Sequence, residues 1–230
     1  MIGAGEPPRI AILLERDGLV VVDKPAGLRS TGDDLDDPDC AQGQLMVLLR
    51  RRRVWAVHQL DSDTSGVNLF VTQKALVDVW SRHLKADEGG KTYVALVHGL
   101  VTAPVRVEVP LGRARRADGR EIPAVVRAGA VGAKDAVTLV EPVDHVATRD
   151  GGVSVVLARP LTGRTHQVRL HLAWLGHPLL GERLHRDPPS SALGRHALHA
   201  WRVDAGGASF IAPMPADLRA LAAALGLRLP

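Results

Sequence analysis

His58-Gln59-Leu60-Asp61-Ser62-Asp63-Thr64-Ser65-Gly66 is the stretch on which the reading of this chain turns. It places two acids, several hydroxyls and a glycine shortly after the basic run Arg50-Arg51-Arg52-Arg53. The residues that follow, Val67-Asn68-Leu69-Phe70-Val71, predict a strand. A carboxylate in a tight polar turn leading into a buried strand is held rigidly, and nearby arginines can hold a polyanion over it. That is the arrangement expected of an enzyme working on a nucleic acid. The same residues also suit an Asx-type turn, with Asp61 or Asp63 bonding backbone N–H groups before the strand.

The chain has 230 residues and a hydrophobic content of 46%, enough for one packed domain. No obvious linker divides it, so residues 1–15 are expected as an N-terminal lead-in and 16–230 as one domain. Aromatic residues make up only 3%, which argues against single-strand binding on an aromatic platform. The net charge of +4 suits a phosphate backbone as partner. One cysteine, Cys40, excludes both an internal disulfide framework and a multi-thiol metal site. The N-terminus lacks the basic-then-apolar layout of a signal peptide, and no apolar run approaches the ~18 residues of a membrane span. A cytoplasmic protein with no membrane partner is expected.

Strands are expected at Leu19–Val22, 92–97, 105–109, 124–126, 136–139, 153–157, 200–203 and 209–211. Asp23-Lys24-Pro25-Ala26-Gly27 is a turn signal. Helices are expected over 41–53 (Leu45, Leu48 and Leu49 inward), 75–85 (Leu76, Val79, Trp80 and Leu84 inward), 165–175 and 217–225. Residues 112–121 read as a basic hairpin loop. Runs of strands with a few inserted helices, rather than regular alternation, point to an α+β fold. Its core would be a mixed, largely antiparallel central sheet with flanking helices and a catalytic cleft across its middle.

Two further segments bear on chemistry. In Gly163-Arg164-Thr165-His166-Gln167-Val168-Arg169-Leu170-His171, Thr165 can cap a helix, and Arg164 would sit at that helix start, a natural phosphate site. His166/Arg169 and Gln167/His171 are spaced to share helical faces. A zinc site on His166 and His171 is disfavoured by their separation of five residues. In Lys91-Thr92-Tyr93, the only tyrosine of the chain lies on a strand, as a core residue or as a ring that packs on an extruded base.

Together these segments resemble the RluA-type pseudouridine synthases. The resemblance is carried by Asp23-Lys24-Pro25-Ala26-Gly27-Leu28, by His58 to Gly66, by Lys91-Thr92-Tyr93 and by Gly163 to His171. Gly176-His177-Pro178-Leu179-Leu180-Gly181-Glu182 also matches, with glutamate where the family has aspartate. Leu198-His199-Ala200 and Pro213-Met214-Pro215 resemble the closing elements. The matches run in order through most of residues 17–218.

The resemblance implies an enzyme that isomerises uridine to pseudouridine in structured RNA, ribosomal or transfer, without cofactor or metal and as a monomer. It implies that Asp61 is the essential carboxylate, attacking the ribose or taking the proton at C2′. By the same resemblance, Arg169 holds Asp61 as an ion pair that keeps it ionised and aimed. Tyr93 packs against the uracil and helps remove the C5 proton. Lys24, His58, Gln59, Arg164 and His166 are implied to bind RNA or wall the site. The target base must leave its stack, at a cost of about a few kcal/mol.

The chain departs from the family at Gln59, where arginine is usual. That departure supports an alternative, a catalytically inactive RNA-binding protein of the same fold. A glycosidase using Asp61 and Asp63 as paired carboxylates is disfavoured, because the position of Asp63 varies in the family motif. Many relatives carry an extra N-terminal RNA-binding module. Here the match begins close to residue 17, so a minimal form is expected, gripping RNA through Arg50 to Arg53, Arg113, Arg115, Arg116 and Arg164.

Overall fold

Val20 and Val22 face one way along their strand, Leu19 and Val21 the other, and all four are buried. This is why the sequence there is continuously apolar instead of alternating. The computed structural model describes residues 9–34, 37–86, 90–149, 151–186, 188 and 190–230. They fall into two compact units. One comprises the chain up to Gly89 with His199–Met214, the other Gly90–Leu198 with Pro215–Pro230. Each unit is assembled from two separated stretches, so no linker marks the division in the sequence.

In the first unit the strands β1 (Ala11–Arg16), β2 (Leu19–Lys24), β4 (Ser65–Val71) and β11 (Leu198–Ala205) are neighbours in that order. The short β3 (Trp55–Ala56) pairs with β4, and β12 (Ala208–Ile211) with β11. Among these described strand pairings β4–β11 is parallel and the others are antiparallel. Residues 11–15, expected as lead-in, are in fact strand; residues 1–8 lie outside the described residues. On one face Val20, Val22 and Phe70 pack with Leu45 of helix α1 (Ala41–Leu48). On the other, Leu19, Val21, Leu69 and Val71 pack with Leu76, Val77 and Trp80 of α2 (Leu76–His83). Val77, rather than the expected Val79, faces inward.

α1 is shorter than its periodicity predicts. Cys40 caps its start, Sγ accepting from the Gly43 N–H at 3.3 Å. The helix ends at Leu48, which is 57% exposed, and Arg50 takes a left-handed conformation at φ 49. The arginine run therefore lies beyond the helix, not on its last turn.

In the second unit β5 (Gly90–His98), β10 (Val153–Pro160), β9 (Val137–Val146) and β6 (Val105–Glu108) are antiparallel neighbours in that order. β7 (Leu111–Arg115) and β8 (Glu121–Val125) form a separate two-stranded ribbon, so the expected hairpin loop over 112–121 narrows to residues 116–120, with strand on either side. Helix α3 (Gln167–Trp174) sets Leu170 against Leu111 and Ala136, and α4 (Ala216–Ala224) closes the chain. The α+β class holds, with antiparallel pairing predominant.

Candidate active site

Asp61 sits half-buried between buried Leu60 and β4, in a turn closed by the Thr64 N–H donating to the Asp61 carbonyl at 3.0 Å. Two groups from the 23–28 turn converge on the next residue. The Gly27 N–H and Lys24 Nζ both donate to the Ser62 carbonyl, at 3.0 and 2.9 Å. Lys24 Nζ also donates to the carbonyls of Leu28 and Pro25, at 2.6 and 2.9 Å. Its side chain is wholly buried. The resemblance gives Lys24 a phosphate or site-wall role; its ammonium is enclosed by backbone carbonyls and fastens the two turns together.

The chain entering the turn is held by residues that the sequence reading passed over. The Ser30 hydroxyl accepts from the Leu60 N–H at 2.9 Å and donates to Asn68 Oδ1 at 2.7 Å. Asn68 Nδ2 donates to the His58 carbonyl at 2.8 Å, and His58 Nε2 accepts from the Leu69 N–H at 3.3 Å. An asparagine in the middle of a buried apolar strand was the available signal, since a buried amide needs partners. Gln59 is exposed and donates from Nε2 to Thr31 Oγ1 at 3.1 Å. Both line a groove of about 510 Å³ with Gln42, Trp55, Lys74 and Asp78.

Gly66 ends the motif for a steric reason. At φ 115 it lies against β11, where a Cβ would meet the Ala200 carbonyl oxygen at 2.2 Å. Beside it, Ser65 Oγ and His199 Nδ1 are 2.9 Å apart, both buried, which pins the parallel register.

In the second unit, Tyr93 is 8% exposed on β5, opposite Ala158 of β10. The segment before α3 is shaped by Gln167. Its Oε1 accepts from Thr162 Oγ1 at 2.8 Å and from the Arg164 N–H at 3.0 Å. The expected cap at Thr165 is not realised. His166 occupies the cap position in a left-handed conformation (φ 55, ψ 20), without a side-chain capping bond. Arg164 is exposed, its Nε donating to the Asp135 carbonyl at 3.1 Å.

Gln167 and His171 do share a face, but it turns inward. Gln167 Nε2 donates to Thr138 Oγ1, and that hydroxyl bonds His171 Nδ1 at 2.8 Å. His171 Nε2 lies 3.2 Å from the Val109 carbonyl, which fixes it as the donor nitrogen. Burial pushes the His171 pKa below the ordinary imidazole value, against the upward pull of that carbonyl. His166 and His171 thus serve different partners, since His166 Nδ1 lies 2.8 Å from His185 Nε2.

Arg169 is buried, and its Nε and Nη2 donate to Glu182 Oε2 and Oε1, both at 2.9 Å. Glu182 Oε1 also accepts from the N–H groups of Leu184 and His185, at 2.9 and 3.2 Å. Burial alone would push this carboxyl up. The hydrogen bonds and charge of Arg169, with the two amides, outweigh it and hold the pKa at about 2. Glu182 is a further residue whose role the sequence alone did not reveal.

A family model described as RNA pseudouridylate synthase matches residues 18–174. The Dual-specificity RNA pseudouridine synthase RluA of Escherichia coli (strain K12) is 34% identical over 205 residues, which is 85% of this chain and 86% of that protein. The Ribosomal large subunit pseudouridine synthase D of Nitrosomonas europaea is 33% identical over 236 residues, covering 94% of this chain and 65% of its own length. Among solved structures, Human RNA Pseudouridylate Synthase Domain Containing 1 aligns with a TM-score of 0.70 at 28% identity. That alignment covers 96% of this chain and 90% of the human one.

Proposed function

The chain belongs to the RNA pseudouridylate synthase family and is an isomerase acting on RNA, and from this premise we propose that Asp61 is its essential carboxylate and a uridine of structured ribosomal or transfer RNA its target. In the isomerisation the bond from ribose C1′ to uracil N1 breaks and a bond from C1′ to C5 forms. The hydrogen at C5 is given up and N1 gains one. Nothing is oxidised and no group enters from a third molecule, so the balance asks for no cofactor.

The observation that carries the assignment of Asp61 is the double anchor on the next residue. Lys24 and Gly27 converge on the Ser62 carbonyl, so the turn presenting Asp61 has little freedom to move. A reacting carboxylate gains from such preorganisation, because the geometry is set before the substrate arrives. In this reading Arg169 supplies the positive charge that keeps the reacting carboxylate ionised, and Tyr93 packs on the uracil and assists loss of the C5 proton. Gln59, His58, Arg164 and His166 flank the RNA. The protein acts as a monomer.

Ribosomal RNA as target draws support from the name of the Nitrosomonas relative. Pseudouridine mapping in total RNA from cells with and without the gene tests the proposal. The expected result is loss of signal at one or a few defined uridines. Identical maps would favour the second reading, a binding protein without catalysis. The uncharged Gln59, tied to Thr31 where the family has arginine, is the observation that favours that reading.

A further inference from the structure

Residues 182–185 form a strap held to the start of α3 by two tethers with matching spacing. Glu182 takes the guanidinium of Arg169, and three residues on, His185 takes the imidazole of His166, itself three residues before Arg169. The strap is anchored at its own base. The Ser190 N–H donates to the Glu182 carbonyl at 2.8 Å, and Ser190 Oγ accepts from the Gly181 N–H at 2.9 Å. Gly181 has φ 73, and a Cβ there would meet the Arg195 carbonyl oxygen at 1.9 Å. Position 181 therefore admits only glycine, and the strap starts packed against that carbonyl.

The Glu182 side chain is 1% exposed and that of Arg169 8%. A buried ion pair is a poor source of net stability, because desolvation offsets most of the attraction. What it does provide is direction. Two parallel bonds fix the plane of the guanidinium, and backbone amides fix the carboxylate that holds it. The second tether acts on a strained residue. A non-glycine side chain in the left-handed region is held there only by its surroundings, and His166 immediately precedes the helix that carries Arg169.

We propose that the 182–185 strap is a positioning device, with Glu182 and His185 setting the orientation of Arg169 and His166 for the reaction. This deepens the reading of Arg169 given above and rests on it. Neither strap residue is assigned contact with the reacting atoms.

The test compares Glu182→Gln, Glu182→Asp and His185→Phe with the wild type on unmodified transcripts of ribosomal and transfer RNA from the source organism. The readouts are single-turnover rate, RNA affinity, and the Nε–H nuclear magnetic resonance signal of Arg169. Glu182→Gln is expected to slow the chemical step by about 30-fold or more while RNA affinity changes less than about two-fold. Glu182→Asp, which keeps the charge, should recover much of the rate. His185→Phe removes the outer tether at a half-buried position and spares the ion pair, so it should fold. It should slow the step by roughly 3- to 10-fold and broaden the Arg169 signal.

Wild-type rates in both Glu182→Gln and His185→Phe, with only thermal stability reduced, would overturn the proposal. So would a rate loss that tracks RNA affinity. An inactive wild-type protein would instead defeat the underlying reading of the enzyme, and the Arg169 signal would still report whether the strap orients it.

Discussion

An ammonium enclosed by three backbone carbonyls cannot be removed without leaving those oxygens bare. Lys24→Met should therefore destabilise the protein by on the order of 3 kcal/mol, measured by urea denaturation, and a loss below about 1 kcal/mol would contradict the role given to Lys24. Two other buried groups set the response to acid. His171 is held neutral, so its contribution is present above the ordinary imidazole value of 6.5 and is lost as the pH falls below it. Glu182 is held ionised, with its pKa at about 2 against an ordinary 4.5. Its contribution is full above 4.5 and drains as the pH falls from there toward 2. Stability should thus decline in two stages on acidification, and His171→Asn should remove the upper one. A urea midpoint unchanged between pH 8 and pH 3 would refute both assignments. At this scale the sequence disclosed the residue types but not their partners. Lys24 reads as an RNA-binding or site-wall residue because a motif displays charge and says nothing of burial. Ser30 and Thr138 were invisible, since isolated hydroxyls far away in the chain carry no pattern.

Strand β4 shows what an element can reveal before it is seen folded. Its apolar run predicted a strand from Val67, and the strand begins two residues earlier, at Ser65. Those two residues are polar or side-chain-free because of β11, a neighbour more than a hundred residues away that no local pattern could supply. Gly66→Ala combines an unfavourable φ with a collision against the Ala200 carbonyl. It should cost on the order of 3 kcal/mol or more, or leave the protein insoluble. Thermal denaturation measures it, and a neutral effect would mean that the β4–β11 crossing is looser than described. α1 was overestimated for a related reason. Helical periodicity runs on through Leu48 and Leu49, but the left-handed Arg50 ends the helix, and intrinsic propensity is too weak to forecast such a stop.

Across the whole molecule, the ordered motifs disclosed the fold class and the chemistry, while the two discontinuous units stayed hidden because no composition change marks them. Most described arginines near an acid are paired with it, as Arg29 is with Asp33, Arg113 with Glu121 and Arg195 with Asp217. Arg51, Arg52 and Arg53 are exposed and have no acid partner among the described residues. Their charge is available to phosphate. Replacing Arg51 and Arg52 together by alanine should reduce the slope of log affinity against log salt by roughly 1.5 for RNA, whereas an unchanged slope would place the RNA elsewhere. In the proposed reaction the turn anchored by Lys24 and Gly27 presents the reacting carboxylate. The most direct measurement is pseudouridine formation and RNA binding by Asp61→Asn, on the same unmodified transcripts that the wild type converts. No detectable pseudouridine is expected, with RNA affinity within about two-fold of wild type, because the substitution keeps shape and removes the charge. Pseudouridine formed by Asp61→Asn at a rate near that of the wild type would contradict it.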